Sequence, residues 1–184
     1  MDDAAFFIDN SNFYHSLKTA RRLPFTTSDY DALFAKLSQQ FKLNLKKIFI
    51  YDAIKDVSKE PEKYISQQRF HAGIRSLSTK WPITLRTRKL RYRAKDKVLI
   101  AEEKGIDVML AVDAISTAVE KNHQNIIILS GDADYVPAVE FMNKLGVTTI
   151  NMHLYSGSSI ELRNICNKHI LIHFKDSEIM LKGL

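Results

Sequence analysis

Two short stretches of this chain carry carboxylates in the one kind of place where side chains commonly do chemistry, the turn between a buried strand and a helix. The first runs from Asn125 to Met142, where four large apolar residues, Ile126 to Leu129, precede Ser130, Gly131, Asp132 and Asp134. Such a run suits a strand covered on both faces, as in a parallel sheet. Ser130 and Gly131 break the strand, and Val136, Val139, Met142 and Leu145 then recur at helical spacing until Gly146. Strand, acidic turn and helix together put Asp132 and Asp134 at the carboxyl edge of a sheet, where ligands of open α/β sheets bind. Ala4 to Ile8 repeats the order: an apolar run ends on Asp9, followed by Asn10, Ser11 and Asn12 and then by Phe13 to Leu17. The plainer reading is that Asp9, Ser11 or Asn12 only caps the next helix.

Asp107 stands in the first turn of a third segment, Ile106 to Val119, a strongly apolar helix. The helix dipole alone accounts for an acid there. If that helix begins at the same sheet edge, Asp9, Asp107, Asp132 and Asp134 converge. Four carboxylates in one place repel unless a cation holds them. Oxygen donors without His or Cys favour Mg²⁺ or Mn²⁺ over Zn²⁺, and such ions activate water and neutralise a phosphodiester cleaved in line. Asp113 lies mid-helix, where an unpaired buried charge is costly, so it needs an exposed stripe or a partner. It is about 240° around the axis and about 9 Å along it from Asp107, too far to ligate the same ion.

The elements that must position these acids read as one α/β domain. Lys47 to Asp52, Val147 to Met152 and His169 to Phe174 suggest further strands, while Tyr30 to Phe41, Ile65 to Leu77 and Leu162 to Ile165 lie in helical patterns. Residues 1–175 are expected to form the domain and 176–184 a tail. His71 has no partner at ligand spacing and reads as a surface or packing residue. At 184 residues the chain is long enough for a proper core, and 45% hydrophobic residues exclude a disordered composition. The single cysteine, Cys166, excludes an internal disulfide and a multi-cysteine zinc site, so a reducing cytoplasm is the expected location. No apolar run is long enough to span a bilayer, and nothing resembles a signal peptide.

The net charge of +6 makes a polyanionic partner plausible. Its densest source is one segment holding Arg86, Arg88, Lys89, Arg91, Arg93, Lys95 and Lys97 against the single acid Asp96. The first half alternates like a strand and the second reads as a loop or hairpin arm. Lysines and arginines also protect edge strands. The functional reading is a phosphate-tracking arm, with Tyr92 available to stack on a base and Lys18, Arg21 and Arg22 extending the contact.

Taken together, Phe7-Ile-Asp-Asn-Ser-Asn12, Glu103 to Asp113, Ser130-Gly-Asp-Ala-Asp-Tyr-Val-Pro137 and Ser159 to Arg163 resemble the motifs of the NYN domain family, in its LabA-like branch of PIN-like ribonucleases. The resemblance runs in order over nearly the whole chain. It implies a PIN-like Rossmannoid three-layer α/β/α sandwich with a largely parallel central sheet, and a Mg²⁺- or Mn²⁺-dependent nuclease acting on RNA, more readily single-stranded. It also implies an acidic site of Asp9, Asp107, Asp132 and Asp134, supported by Asn10, Asn12 and Ser130, with Asp113 at a frequent family position. Asn10 departs from the glycine that many relatives carry. The alternative is a non-catalytic RNA-binding or regulatory module of the same fold. An adhesion-type metal domain lacks a ligand at Phe13, and self-association is left open.

Overall fold

The computed structural model describes residues 1–95, 98–176 and 178–183. Its centre is a seven-stranded sheet in the order β3-β2-β1-β6-β7-β8-β9. The strands are β1 (Asp2–Asp9), β2 (Leu43–Ile54), β3 (Ile83–Lys89), β6 (Asn125–Leu129), β7 (Thr148–Leu154), β8 (Lys168–Lys175) and β9 (Glu178–Gly183). All neighbouring pairs are parallel except β8 with β9. The residues expected as a tail therefore close one edge of the sheet; Ile179 and Leu181 alternate into the core, a period too short to read without knowing that β8 lies beside it.

Side-chain alternation along β1 and β6 divides the core in two. Ala4, Phe6, Ile8, Ile127 and Leu129 face a layer built by α1 (Asn10–Thr19), α2 (Thr27–Phe41) and α3 (Pro61–Ser76). Ala5, Phe7, Ile126 and Ile128 face α4 (Ile106–Val119), α5 (Val136–Lys144) and α6 (Ile160–Ile165). Each face of a β-strand thus meets its own helices, which is why the central runs are apolar at consecutive positions. The architecture is the expected three-layer α/β/α sandwich around a mostly parallel sheet.

Strand order reverses between β1 and β6. From β1 the chain proceeds outward through β2 to β3, returns through α4, and resumes on the other side of β1. Helices following the two strands leave in opposite directions and open a crevice at their carboxyl ends, the position at which α/β sheets bind ligands. Asp9 ends β1, and Leu129, which pairs with Ile8, ends β6.

The return path carries a second, two-stranded sheet of β4 (Arg91–Lys95) and β5 (Val98–Glu102), paired antiparallel. It is the hairpin arm that the basic segment suggests. Among the described residues no helix is long and apolar enough to cross a membrane. Leu33 is fully buried between α2 and the sheet, whereas Val57 is 55% exposed. Leu33→Ala is expected to lower the unfolding free energy by about 2–5 kcal/mol and Val57→Ala by under about 0.5 kcal/mol, as read from urea denaturation.

Candidate acidic site at the strand switch point

Asp9 divides its carboxylate between two jobs. Oδ1 accepts the Asn12 backbone N–H at 3.0 Å and caps α1, so the capping role is real. Oδ2 turns the other way, accepting the Ser130 hydroxyl at 3.3 Å and the Tyr135 hydroxyl at 3.0 Å. The side chain is only 3% exposed. Burial raises its pKa from 3.8 to about 6; the Asn12 and Tyr135 hydrogen bonds oppose the rise, and the charges of Asp107 and Glu103 add to it.

Tyr135 is the residue that sequence reasoning missed. Its hydroxyl lies 3.0 Å from Asp9 Oδ2 and 3.4 Å from Asp107 Oδ1, so a single phenol proton is shared between carboxylates of β1 and α4. At 1% exposure it also packs in the core with Val139 and Leu110. A tyrosine at an apolar helical position reads as core, and no sequence signal marks its hydroxyl. Asp107 is half-buried; burial raises its pKa, followed by the charge of Asp132, and Asp134 adds to the rise while Tyr135 opposes it. Three sequence-distant stretches thus bring acids to one place.

The two acids of the β6 turn differ. Asp132 Oδ1 accepts the Asp134 backbone N–H at 3.0 Å and caps the tight turn of residues 133–135 that leads into α5. Asp134 is exposed and supplies no cap, the turn being capped by Asp132. Ser130 accepts from the Asp132 N–H at 3.2 Å while donating to Asp9, which ties the turn to β1. Asn12 Oδ1 accepts the Gly131 N–H at 2.8 Å, a second tie between the two turns. Gly131 has no room for a side chain, since a Cβ there would lie 1.8 Å from the Gly157 carbonyl oxygen. Asn10 Oδ1 accepts the Tyr30 hydroxyl.

Glu103 joins the set from the segment before α4, where Ser11 Oγ donates to it at 2.5 Å. Although Glu103 is an exposed residue, desolvation of its carboxyl is the largest effect raising its pKa, ahead of repulsion from Asp52 and Asp107, while the Ser11 hydrogen bond opposes the rise. Asp52, at the end of β2, is buried with His71 and Gln67, whose Nε2 atoms lie 2.7 and 2.9 Å from Asp52 Oδ2. His71 is thus a core residue. Asp113 has found partners elsewhere: it accepts the Tyr51 hydroxyl at 2.8 Å and pairs with Arg86 at 3.4 Å. It braces β2 and β3 against α4 and is no neighbour of Asp9.

The basic segment is partly committed to structure. Arg86 pairs with Asp113, Arg88 donates to the Gly105 carbonyl at 3.4 Å, and Arg93 pairs with Glu102 across the hairpin at 3.0 Å. Lys89 and Arg91 are exposed; Lys97 and the side chain of Lys95 lie outside the described residues. Tyr92 does not present its ring freely: its hydroxyl donates to Glu60 at 2.8 Å and accepts the Asp56 N–H at 3.1 Å, anchoring the hairpin to the loop before α3. Arg22 is stacked over Phe174.

The donor set is oxygen-only and crowded with charge, which suits a hard cation. As folded, with Tyr135 between Asp9 and Asp107, no group of three or more His, Cys, Asp or Glu side chains forms a metal cage among the described residues.

A parallel α/β sandwich with carboxylates at its switch point defines a class of acidic-edge domains, and the sequence profile narrows it. The NYN domain profile matches residues 3–173, and the chain belongs to that family. No curated protein matches the sequence. Among solved structures, a protein of unknown function from Vibrio parahaemolyticus superposes with a TM-score of 0.67 at 18% identity, covering 97% of this chain and 96% of that one. The zinc-bound T5 5′-exonuclease has a TM-score of 0.42 at 14% identity, over 80% of this chain and 55% of that one.

The raised pKa of Asp9 has a stability consequence. Between about pH 4 and pH 6 folded Asp9 keeps a proton that the unfolded chain releases, so its contribution to stability falls as pH rises through that window. Asp9→Asn is expected to gain stability relative to wild type, by up to roughly 3 kcal/mol, between pH 4 and pH 7 in chelator. Urea midpoints of the two proteins at both pH values check this; a constant difference would contradict it.

Proposed function

We propose that the chain is a divalent-cation-dependent nuclease that hydrolyses phosphodiester bonds of RNA, in the LabA-like branch of its family. The observation that carries this reading is the meeting of Asp9 and Asp107 on the Tyr135 hydroxyl at the β1–β6 switch point, with Asp132 beside them. Fold alone would not carry it, because function resides in sites rather than folds.

Asp9, Asp107 and Asp132 would hold the ion, with Asp134 at its solvent side. Mg²⁺ or Mn²⁺ supplies Lewis acidity toward a phosphoryl oxygen and lowers the pKa of water. The chain's own residues supply the rest. Ser130 and Asn12 hold Asp9 and the β6 turn in register. Asp107, crowded by burial and by the charge of Asp132, would give the ion an oxygen from the first turn of α4. The Tyr135 hydroxyl fixes the separation of Asp9 and Asp107 and keeps both oriented. Lys89 and Arg91 are the arm residues open to the nucleic-acid backbone, single-stranded RNA being the expected substrate.

The second reading is a nucleic-acid-binding module without turnover. It draws on the lack of a three-acid cage among the described residues. Loss of Mn²⁺-dependent cleavage of single-stranded RNA in Asp132→Asn, with RNA affinity retained, supports the nuclease; equal cleavage by variant and wild type sinks it. In the same preparation Tyr135→Phe is expected to keep the fold and to weaken Mn²⁺ binding about 10- to 100-fold by calorimetry, as loss of an orienting hydrogen bond does. Unaltered affinity would remove Tyr135 from the site.

A further inference from the structure

Helix α4 is apolar nearly all round, yet it is a surface helix. Its inner residues Ile106, Leu110, Ala114 and Ala118 pack on the sheet. On the outer side Val108, Val112 and Val119 are 65, 54 and 55% exposed, with Ile115 half-buried between them. A helix that is hydrophobic on every side is ordinarily buried on every side. Exposed valines in a continuous row are also unlike the scattered apolar residues of a monomer surface.

The spacing identifies what covers the row. Val108, Val112, Ile115 and Val119 follow one another at intervals of four, three and four residues, the seam of a heptad repeat, and they fall within about 60° of one another around the axis. The pattern reads the same from either end. A two-fold axis through the middle of the helix, perpendicular to it, would set Val108 against Val119 of a second copy and Val112 against Ile115, each β-branched residue meeting another. The flanking small residues obey the same symmetry, for Ala111 would face Ser116 and both allow close approach of the backbones. Isologous dimers require such a self-complementary patch, in which one residue contacts a second and the second contacts the first. No lysine, arginine or glutamate lies within α4, and its mid-helix acid, Asp113, is already paired with Arg86.

We propose that this face of α4 is the two-fold interface of a homodimer, with the two α4 helices packed antiparallel. Six half-exposed side chains amount to only a few hundred Å², against about 800 Å² per partner in a standard interface. Phe141, 46% exposed on α5, the helix packed beside α4, extends the apolar surface, and a polar rim would supply the remainder. The inference stands independently of the nuclease reading. It nevertheless places the interface next to the acidic site, since Asp107 immediately precedes Val108.

Sedimentation equilibrium of the full chain from low to high micromolar concentration tests the interface. Wild type is expected to dimerise and Val112→Lys to be monomeric with an unchanged far-ultraviolet circular dichroism spectrum. A second arm holds even if the lysine variant misfolds: an oxidised equal mixture of Val108→Cys and Val119→Cys proteins should give a cross-linked dimer in excess of either protein alone, the native Cys166 being buried. A monomeric wild type, a dimer indifferent to Val112→Lys, or cross-linking of Val108→Cys by itself to the same extent as the mixture would overturn the proposal, the first by assigning the face to a different partner.

Discussion

Asp9 is buried at the end of a central strand, and a buried carboxylate persists only when its oxygens are answered. The backbone of α1 answers one oxygen, and Ser130 and Tyr135 answer the other. Those donors come from two stretches, Asn12 beside Asp9 and Ser130 with Tyr135 in the turn after β6, so satisfying one side chain fixes the start of α1 and the turn leading into α5 relative to one another. The incomplete compensation is visible in its proton affinity: three hydrogen bonds do not offset burial and two neighbouring acids, and the pKa settles near 6. The residual strain is electrostatic and sits where an added positive charge would relieve it. The Tyr135 hydrogen bonds relieve part of that strain, and a cation would relieve more.

Much of this arrangement was legible in the sequence. The runs Ala4 to Ile8 and Ile126 to Leu129 could be read as doubly covered strands because both of their faces are apolar, but the pairing of β1 with β6 across the intervening strands of the chain could not. Helix α4 was readable at its bounds because its apolar pattern begins after Gly105, which adopts a positive φ of 80° as the residue preceding the helix. What could not be read depends on atoms beyond the pattern. Tyr135 belongs to a helical apolar period, and only its distal oxygen reaches the acids. Asp132 and Asp134 have the same side chain two residues apart, and the choice of cap depends on backbone angles in the tight turn between them. Asp113 looked like an unexplained charge because its partners, Tyr51 and Arg86, are remote in sequence.

The basic segment shows the same limit from the other direction. Its charge density was plain, but charge density does not distinguish a cation that faces solvent from one already engaged. Arg86, Arg88 and Arg93 remain exposed yet are already engaged by Asp113, a backbone carbonyl and Glu102. Tyr92 is held at its hydroxyl by Glu60 and Asp56, so the aromatic ring of the arm serves as its anchor. A two-stranded hairpin is marginal by itself in water, and this attachment is what lets it persist beside the larger sheet.

The close approach of Gly131 to the Gly157 carbonyl joins the acidic turn to the loop that follows β7. Ser159 N–H, donating to the Gly131 carbonyl at 2.9 Å, fastens the same two segments a second time. A turn packed this tightly on a neighbouring loop has little conformational freedom left to lose when a ligand arrives. The entropy of ordering the β6 acids is therefore met when the chain folds, and any ligand at this edge would meet a preorganised turn.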